Sequence, residues 1–437
     1  MTGLNDAPFV QSIAVPAVCI LIAFLGYFPQ YLFRHSSLEP GPPSFRETAV
    51  FNGLLTFLWL TYYKAVSEDP GRYLFADKAI KTEAEADGNW CRKCSAPKPA
   101  RAHHCRHCGR CIPKMDHHCP WTANCVSMTT FPHFLRFLLF ANMSLWALGY
   151  LLWQRIFALW ESRHLPAYLG PTLEALVGLA LTSLVCLFTS LALAIMLATT
   201  VKSWLFNCTM IEGWQMERHD VVMGRGGQDW WDMSGPDGEK VRVERVEFPY
   251  DLGFFANMAQ AMGSSNFLLW FSPFSGSPKV GRDGLGCGWS WEENGFNRNE
   301  GMWPPPDPEK IRKANRLWPA ARRDLEAELR NAEAMSEEEQ KRTFKERQLQ
   351  DMQRRNILMT ELEELDDCGM MYGNSDCNGS GSDEESSWRN NDGERLQDFG
   401  VDEDAELCTT HQTTHDDHVP LGELLRRRNI MRSPSVG

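Results

Sequence analysis

The sequence lacks an excess of positive charge, which argues against a nucleic-acid-binding protein. Its 437 residues carry a formal net charge of -12, and residues 301–437 account for -11 of it. Those last 137 residues also lack a long apolar run, so most of the negative charge belongs to a polar tail. Internal repeats and a glycine-rich nucleotide loop are absent too, which gives no support to a repeat protein or a P-loop enzyme. We find no terminal lipidation signal.

Charged residues are absent from four stretches within the first 210 residues. These contain 27, 16, 18 and 27 residues and cover 7–33, 48–63, 137–154 and 175–201. Because roughly 20 mostly apolar residues are needed to cross about 30 Å of hydrocarbon, we predict four transmembrane helices, at residues 7–33, 48–66, 134–157 and 173–201. Buried helices of a soluble protein are the alternative, which uncharged runs of this length disfavour. The first stretch lacks a basic leader, so we expect a retained helix rather than a signal peptide.

Lysine and arginine are concentrated in the loop between the second and third predicted spans. Residues 67–133 hold ten of them, whereas 34–47 and 155–174 hold two each. Since cytoplasmic loops of membrane proteins are rich in these residues, we expect this loop and both termini to be cytosolic.

Half of the 14 cysteines lie in the same loop, between Cys91 and Cys125. A cytosolic location is reducing, so clustered thiols there indicate metal binding or catalysis rather than disulfides. Two Cys-x2-Cys pairs, two further cysteines and two histidines can form two Cys3His zinc sites, which use six of the seven cysteines. One thiol is left over. Cys119 follows Asp116, His117 and His118, and a neighbouring imidazole favours a nucleophilic thiolate. A zinc module with one spare buried cysteine is the alternative.

The segment Asp116-His117-His118-Cys119-Pro120-Trp121, with the preceding Cys/His array, resembles the DHHC (zinc finger) protein S-acyltransferases, or S-palmitoyltransferases. The flanks carry further motifs of that family: Asp69-Pro70-Gly71, Thr209-x2-Glu212 and Asn257. The second of these departs from the family pattern, because Met210 stands where the family has threonine.

Two further departures lie after the cysteine array, where Ser127 and Thr130 replace a glycine and an asparagine that are common in the family. The variant segment 131–136 resembles a fungal branch that resides in the endoplasmic reticulum and acylates chitin synthase. The resemblance therefore implies that location, and chitin synthase as a candidate partner among membrane-associated substrate proteins.

The resemblance also implies the roles of the array. One structural Zn2+ takes Cys91, Cys94, His104 and Cys111, and the other takes Cys105, Cys108, His118 and Cys125. Cys119 is then the nucleophile, His117 its general base and Asp116 the partner of His117. The implied reaction is a ping-pong transfer of a palmitoyl or other long-chain acyl group from acyl-CoA to Cys119, and from there to a substrate cysteine. Ser144, about one leaflet deep on the third span, is predicted to let the site accept palmitoyl or longer chains.

Charge in the array suits such a donor. Residues 91–130 hold seven Lys and Arg and one Asp. Because Zn2+ bound to three thiolates carries one net negative charge, two such sites leave this segment with a net charge of about +4. That patch suits the phosphates of CoA and anionic membrane lipid. A non-catalytic membrane zinc scaffold that recruits partner proteins is the alternative function. A membrane-anchored ubiquitin ligase fits worse, because it does not explain the Asp-His-His that precedes the spare thiol.

The fold class predicted from these observations is a membrane all-α protein. It has four transmembrane helices and a cytosolic two-zinc cysteine-rich domain, residues 88–138, between spans 2 and 3. A cytosolic region with the packing motifs follows at 202–300, and 301–437 are expected to form a charged helix and a partly disordered acidic tail.

Overall fold

The structure is a computed structural model that describes residues 8–73, 89–164, 166, 170–224, 230–232, 240–242, 245–305, 345 and 388–408. The chain divides into two compact units, residues 1–314 with 388–437 and residues 315–387. Every contact given below lies within the first unit. Of the second unit only Lys345, a helical residue, is described.

One long helix lies on each of the four uncharged stretches. The helices are α1 (Pro8–His35), α2 (Phe45–Ser67), α3 (Phe131–Glu161) and α4 (Leu173–Phe206). In the described part of the chain, three helices are long and apolar enough to cross a membrane: α1, α3 extended to His164, and α4. Helix α2 is not among them. Its 23 residues include Glu47 in the first turn and Lys64 in the last.

Apolar clusters and a few polar contacts join the four helices. One cluster contains Ile22 of α1, Leu55 of α2 and Phe137 of α3. Between α3 and α4, the Asn142 side chain donates a hydrogen bond of 3.1 Å to the Leu193 carbonyl. Such interhelical amide bonds are a recurrent way of joining membrane helices, which gain little from apolar burial in lipid.

Between α2 and α3 the chain forms three short antiparallel ladders. They pair β1 (Asn89–Cys91) with β2 (Ala96–Pro97), β3 (His103–Cys105) with β4 (Arg110–Ile112), and β5 (His117–Cys119) with β6 (Asn124–Val126). The cysteine-rich region is therefore built from strands and turns, and the expectation of an all-α protein is wrong there. The segments between its turns are two or three residues long, well below the roughly 12–15 residues that an isolated helix needs.

After α4 come α5 (Met210–Gly224), α6 (Phe254–Met262) and α7 (Phe267–Phe271), with the pairs β7 (Trp230–Asp232)–β8 (Lys240–Arg242) and β9 (Gly281–Leu285)–β10 (Gly288–Ser290). Arg136 holds the end of α7 against α3. It is 2% exposed, and its guanidinium donates to the carbonyls of Leu269, Trp270, Ser275 and Gly276. This arginine near the start of α3 satisfies carbonyl groups that a helix end leaves unpaired.

Part of the tail differs from the expected disorder. Residues 388–408 contain two 3-10 turns, Leu396–Phe399 and Glu403–Ala405, and the strand β11 (Glu406–Cys408), which pairs with β1. Buried apolar side chains in this segment explain its order, because they offset the entropy lost on ordering. The predicted charged helix and the rest of the predicted disordered tail lie outside the described residues, apart from Lys345.

Candidate active site and metal centres

Eight cysteine and histidine side chains between β1 and β6 form two compact groups of four. Within each group the ligand atoms all lie within 4.8 Å of one another. Nδ1 of His104 lies 3.4, 3.2 and 3.9 Å from the sulfurs of Cys91, Cys94 and Cys111. Nδ1 of His118 lies 3.7, 3.6 and 3.5 Å from the sulfurs of Cys105, Cys108 and Cys125. The structure thus brings together the same two sets of four that the family resemblance implies.

The distances within each group fit tetrahedral metal coordination. Zn–S bonds of about 2.3 Å and Zn–N bonds of about 2.0 Å place a nitrogen and a sulfur ligand about 3.5 Å apart and two sulfur ligands about 3.8 Å apart. The sulfurs of Cys108 and Cys125 are 3.5 Å apart. Each group offers three thiols and one imidazole, a closed donor set that is typical of structural zinc.

Strand pairing explains why the ligands converge. His104 lies opposite Cys111 in the β3–β4 ladder, and His118 lies opposite Cys125 in the β5–β6 ladder. Each histidine therefore faces the last cysteine of its own group. The Cys-x2-Cys turn before β4 ends at Gly109, whose φ of 63° lies in the left-handed region that glycine adopts without steric cost.

Cys119 belongs to neither metal group. It is the last residue of β5, and it is 5% exposed. Its neighbours form an apolar cluster drawn from three helices, which includes Ile22, Leu58, Tyr62 and Phe137. The spare thiol therefore faces the helices rather than the metal ligands.

His117 connects this thiol to a carboxylate. Its Nδ1 lies 3.0 Å from Oδ2 of Asp116, and its ring also interacts with the Cys119 thiol. Burial alone lowers the pKa of His117, but the contacts with Asp116 and Cys119 outweigh it and raise the pKa to about 10. For the Cys119 thiol, burial raises the pKa, because it disfavours the charged thiolate. The hydrogen bond and charge of His117 outweigh burial and bring the pKa of this thiol below its usual range. The arrangement favours a thiolate paired with an imidazolium.

Asp116 is oriented from two sides. While Oδ2 contacts His117, Oδ1 accepts a hydrogen bond of 2.6 Å from the backbone N–H of Met210, the first residue of α5. The positive end of a helix dipole favours a carboxylate at this position. Because the backbone makes the contact, it does not depend on the Met210 side chain, which explains how methionine can stand where the predicted motif has threonine.

Hydrogen bonds also join the start of α5 to the loop that precedes β3. Glu212 and Thr209 exchange the two hydrogen bonds of a capping box, at 2.9 and 3.2 Å. The Glu212 carboxylate also accepts hydrogen bonds from Nε and Nη2 of Arg101, at 2.6 and 2.7 Å. Arg101 donates further to the Asn207 carbonyl at 2.5 Å, and its guanidinium lies 4.4 Å from the centre of the Tyr250 ring.

Residues beside Cys119 tie the metal-binding region to α2. The Tyr62 hydroxyl donates to the Trp121 carbonyl at 2.9 Å. The Asn124 amide donates to the carbonyls of Ala65 and Glu68 at 3.1 and 2.8 Å, at the end of α2. These contacts fix the position of the β5–β6 hairpin, and with it the thiol, relative to the helices.

The two residues that depart from the predicted pattern also have structural roles. Ser127 donates to the Pro70 carbonyl at 2.8 Å, and Thr130 donates to the Cys125 carbonyl at 2.6 Å. The Thr130 hydroxyl also accepts from the Ser127 backbone N–H at 2.9 Å. The hydroxyls therefore connect the 69–71 motif to the end of β6.

Ser144 lies deeper on α3 and is 5% exposed. Its hydroxyl donates to the Phe140 carbonyl one turn earlier, at 2.7 Å. Along α3 the cluster around Cys119 extends to Ala141, and a second cluster includes Leu145. Ser144 thus lies at the boundary between the two.

No sequence pattern indicated a role in the site for three residues that hold it together: Tyr62, Arg101 and Asn207. Each contacts a partner at least 59 positions away in sequence. Two histidines without a predicted ligand role lie close to the metal groups: His103 is 7% exposed, and the His107 ring lies 4.5 Å from the ring of His118.

Comparisons with known proteins agree with this geometry. The DHHC palmitoyltransferase family matches residues 84–217. Palmitoyltransferase PFA4 of Gibberella zeae is 59% identical over 441 residues, covering 100% of both chains. The protein of that name in Neurospora crassa is 46% identical over 98% of this chain and 99% of its own. The Saccharomyces cerevisiae protein is 31% identical over 67% and 81%.

Proposed function

The chain belongs to the DHHC palmitoyltransferase family and is a protein S-acyltransferase of its fungal PFA4 branch; from that premise we propose that Cys119 carries the acyl group during transfer. The observation that carries the proposal is the position of this thiol. It lies outside both metal groups, interacts with His117 and is buried among apolar side chains of the helices. An acyl chain attached to Cys119 would therefore lie next to apolar side chains.

In the first half-reaction the Cys119 thiolate attacks the carbonyl carbon of an acyl-CoA. A new C–S bond forms to Cys119, the C–S bond to CoA breaks, and the departing CoA thiolate takes the proton of the His117 imidazolium. In the second half-reaction the thiol of a substrate protein gives its proton to His117 and its sulfur attacks the acyl group. Cys119 leaves as a thiolate, and the original ion pair is restored.

Asp116 holds His117 for both steps. It accepts from the Nδ1 side, so the other ring nitrogen is left for proton exchange. Its second oxygen is held by Met210, which limits rotation of the carboxylate. The contact between Asp116 and His117 favours the charged imidazole, which is the form needed at the start of the cycle.

The two metal groups have a structural role in this proposal. Zinc bound there would crosslink short hairpins that have little apolar core of their own. Site one takes Cys91, Cys94, His104 and Cys111, and site two takes Cys105, Cys108, His118 and Cys125. Each set is complete with four protein ligands, so acyl transfer is assigned to Cys119 and His117 alone.

The chain is an integral membrane protein, and three of the helices in its described residues are long and apolar enough to cross a membrane. We propose that α2 crosses as a fourth span, with Lys64 extending to the interface. Four spans place both termini and the metal-binding region on one side, and the ten basic residues of 67–133 make that side cytosolic. Cysteine substitutions labelled by an impermeant maleimide on sealed vesicles would test this topology. Labelling at residue 40 from the lumenal side only is the expected result.

The proposed donor is palmitoyl-CoA, and the proposed acceptors are membrane-associated proteins, with chitin synthase a candidate and the endoplasmic reticulum the location. The name palmitoyltransferase, which the PFA4 relatives share, supports palmitoyl transfer. Seven basic residues against one acidic residue in 91–130 suit the phosphates of CoA and anionic lipid. Loss of acyl label from chitin synthase in a strain that carries Cys119→Ser, with location by microscopy, would test the acceptor and the organelle together.

The direct test uses purified protein and radiolabelled palmitoyl-CoA. We expect a hydroxylamine-labile label that Cys119→Ser abolishes while two equivalents of zinc remain bound. Cys287→Ser is the matched control, because Cys287 lies outside both the metal groups and the cluster around Cys119. Label that persists in Cys119→Ser would contradict the proposal. A scaffold without catalysis is not favoured, because the curated relatives are named as transferases.

A further inference from the structure

Residues 388–408, which we call the strap, touch both metal groups from the far end of the sequence. The Arg106 side chain donates to the Gln397 carbonyl at 2.9 Å across 291 positions, and Lys93 pairs with Asp402 across 309. Arg106 lies between two ligands of site two, and Lys93 lies between two ligands of site one. A single stretch of chain therefore spans the two centres.

The strap makes equivalent backbone hydrogen bonds at the two Cys-x2-Cys turns. In each turn the residue after the first cysteine donates its N–H to a strap carbonyl: Arg106 to Gly400 at 3.0 Å, and Arg92 to Ala405 at 2.9 Å. Between these bonds, the Asp402 N–H donates to the carbonyl of His104 at 2.9 Å. Strand β11 continues the contact, since Glu406 lies opposite Cys91 in its ladder with β1.

Apolar packing holds the strap in place at both centres. Leu396, Phe399 and Val401 are 2%, 5% and 1% exposed and share a cluster with Cys105 of site two. Ala405 is fully buried in a cluster that contains Cys91 of site one. At site two the fit is close, because a Cβ on Gly400 would lie 2.8 Å from the Cβ of His118.

The other end of the strap rests on α5. The ring of Trp388 lies edge-on to Trp214 at 4.8 Å, and the Trp214 indole donates to the Glu394 carbonyl at 3.2 Å. Arg218 lies over Trp388 at 5.4 Å. The strap thus bridges the helix that positions Asp116 and the hairpins that carry the metal ligands.

We propose that the strap couples the two metal centres, so that neither site opens to release its metal while the strap is seated. The physical reason is that a Cys-x2-Cys turn must move outward to release its metal, and the strap bonds to both turns through one short segment. Displacing it at one turn removes its contacts at the other. The inference rests on the proposed zinc sites but not on the role of Cys119.

The test measures zinc release from the full-length protein into excess chelator with a colorimetric indicator. Val401→Asp detaches the strap at site two, and Ala405→Asp detaches it at site one. We expect each variant to release both zinc equivalents at least about tenfold faster than the unmodified protein, a factor that corresponds to about 1.4 kcal/mol. Gln397→Ala, an exposed side chain in the same segment, is the matched control and should leave both rates unchanged.

Other results would overturn the proposal. Unchanged release in both Asp variants would mean that the strap does not restrain the metals. Faster release of only one equivalent in each variant would mean local support without coupling. Should an Asp variant fail to fold, Phe399→Ala removes an apolar contact of the strap without adding a charge, and the same criteria apply. A wild-type protein without zinc overturns the metal assignment itself, whereas zinc-loaded protein that forms no acyl-enzyme contradicts only the proposed function.

Discussion

Arg101 and Glu212 form a two-point ion pair whose side chains are 0% and 2% exposed. The pair joins the loop before the first histidine ligand to the helix whose first N–H holds Asp116. The candidate site is therefore not a property of the cysteine-rich region alone. The segment after α4 also contributes to the site, because Glu212 of α5 pairs with Arg101 where water has little access.

Removing one partner of this pair should destabilise the protein strongly. We expect Arg101→Met to lower the free energy of unfolding by roughly 3–5 kcal/mol, because the Glu212 carboxylate would stay buried without its counter-charge. Arg110→Met is the matched control, since Arg110 pairs with Asp69 at 3.0 Å while that carboxylate is 65% exposed. Its effect should stay below about 1 kcal/mol. Thermal unfolding in detergent compares the two, and equal losses would contradict the importance of the buried pair.

The hydrogen bond from Met210 to Asp116 can be removed without disturbing the helix. Proline is well tolerated as the first residue of a helix. Met210→Pro removes only the backbone N–H that donates a hydrogen bond to Asp116. We expect acyl-enzyme formation to slow by about 10- to 100-fold, the range for a hydrogen bond to a charged group, with little change in thermal stability. Met210→Ala retains the N–H and should behave like the unmodified protein. A similar loss of rate in both variants would instead point to the methionine side chain.

The reactivity of Cys119 should depend on pH through His117. The hydrogen bond and charge of His117 lower the pKa of the thiol, while burial raises it. His117→Gln leaves burial as the main influence, so the thiolate should form only at higher pH. The alkylation rate of Cys119 by iodoacetamide, measured against pH, should show its acid limb displaced to higher pH in this variant. The limb for Cys287 serves as the internal reference, and coincident profiles at Cys119 would rule out the ion pair.

Ser144 tests where the acyl chain ends. A phenylalanine at this buried boundary between two apolar clusters would fill space that the end of a long chain needs. We expect Ser144→Phe to reduce the ratio of palmitoyl to lauroyl transfer by at least about tenfold, since even one methylene changes discrimination by 10- to 200-fold. Met143→Phe is the matched control, because Met143 is 38% exposed. An unchanged chain-length ratio in Ser144→Phe would place the end of the chain elsewhere.

The metal ligands and the spare thiol could be predicted because their chemistry is local. Cys-x2-Cys spacing brings two sulfurs to one metal whatever the rest of the chain does, and counting ligands leaves one cysteine over. The Asp-His-His before Cys119 and the family resemblance identify that cysteine as Cys119. The apolar helices could be predicted for a similar reason, since long uncharged runs have few alternatives to a membrane. Helix α2 shows the limit of that argument, because a shorter run flanked by Glu47 and Lys64 does not determine its own environment.

By itself the sequence therefore indicated two Cys3His sites, one surplus thiol and the apolar helices, from ligand counts and composition over short stretches, while the family resemblance implied which ligands share a site and which side chains react. Only the tertiary structure decided what holds them in place: Arg101 against Glu212, Met210 on Asp116, and the strap across both metal groups. These contacts join residues about 90 to 310 positions apart. Their geometry comes from how the helices and hairpins pack, and a buried charge or a backbone N–H has no periodic pattern that reveals its partner.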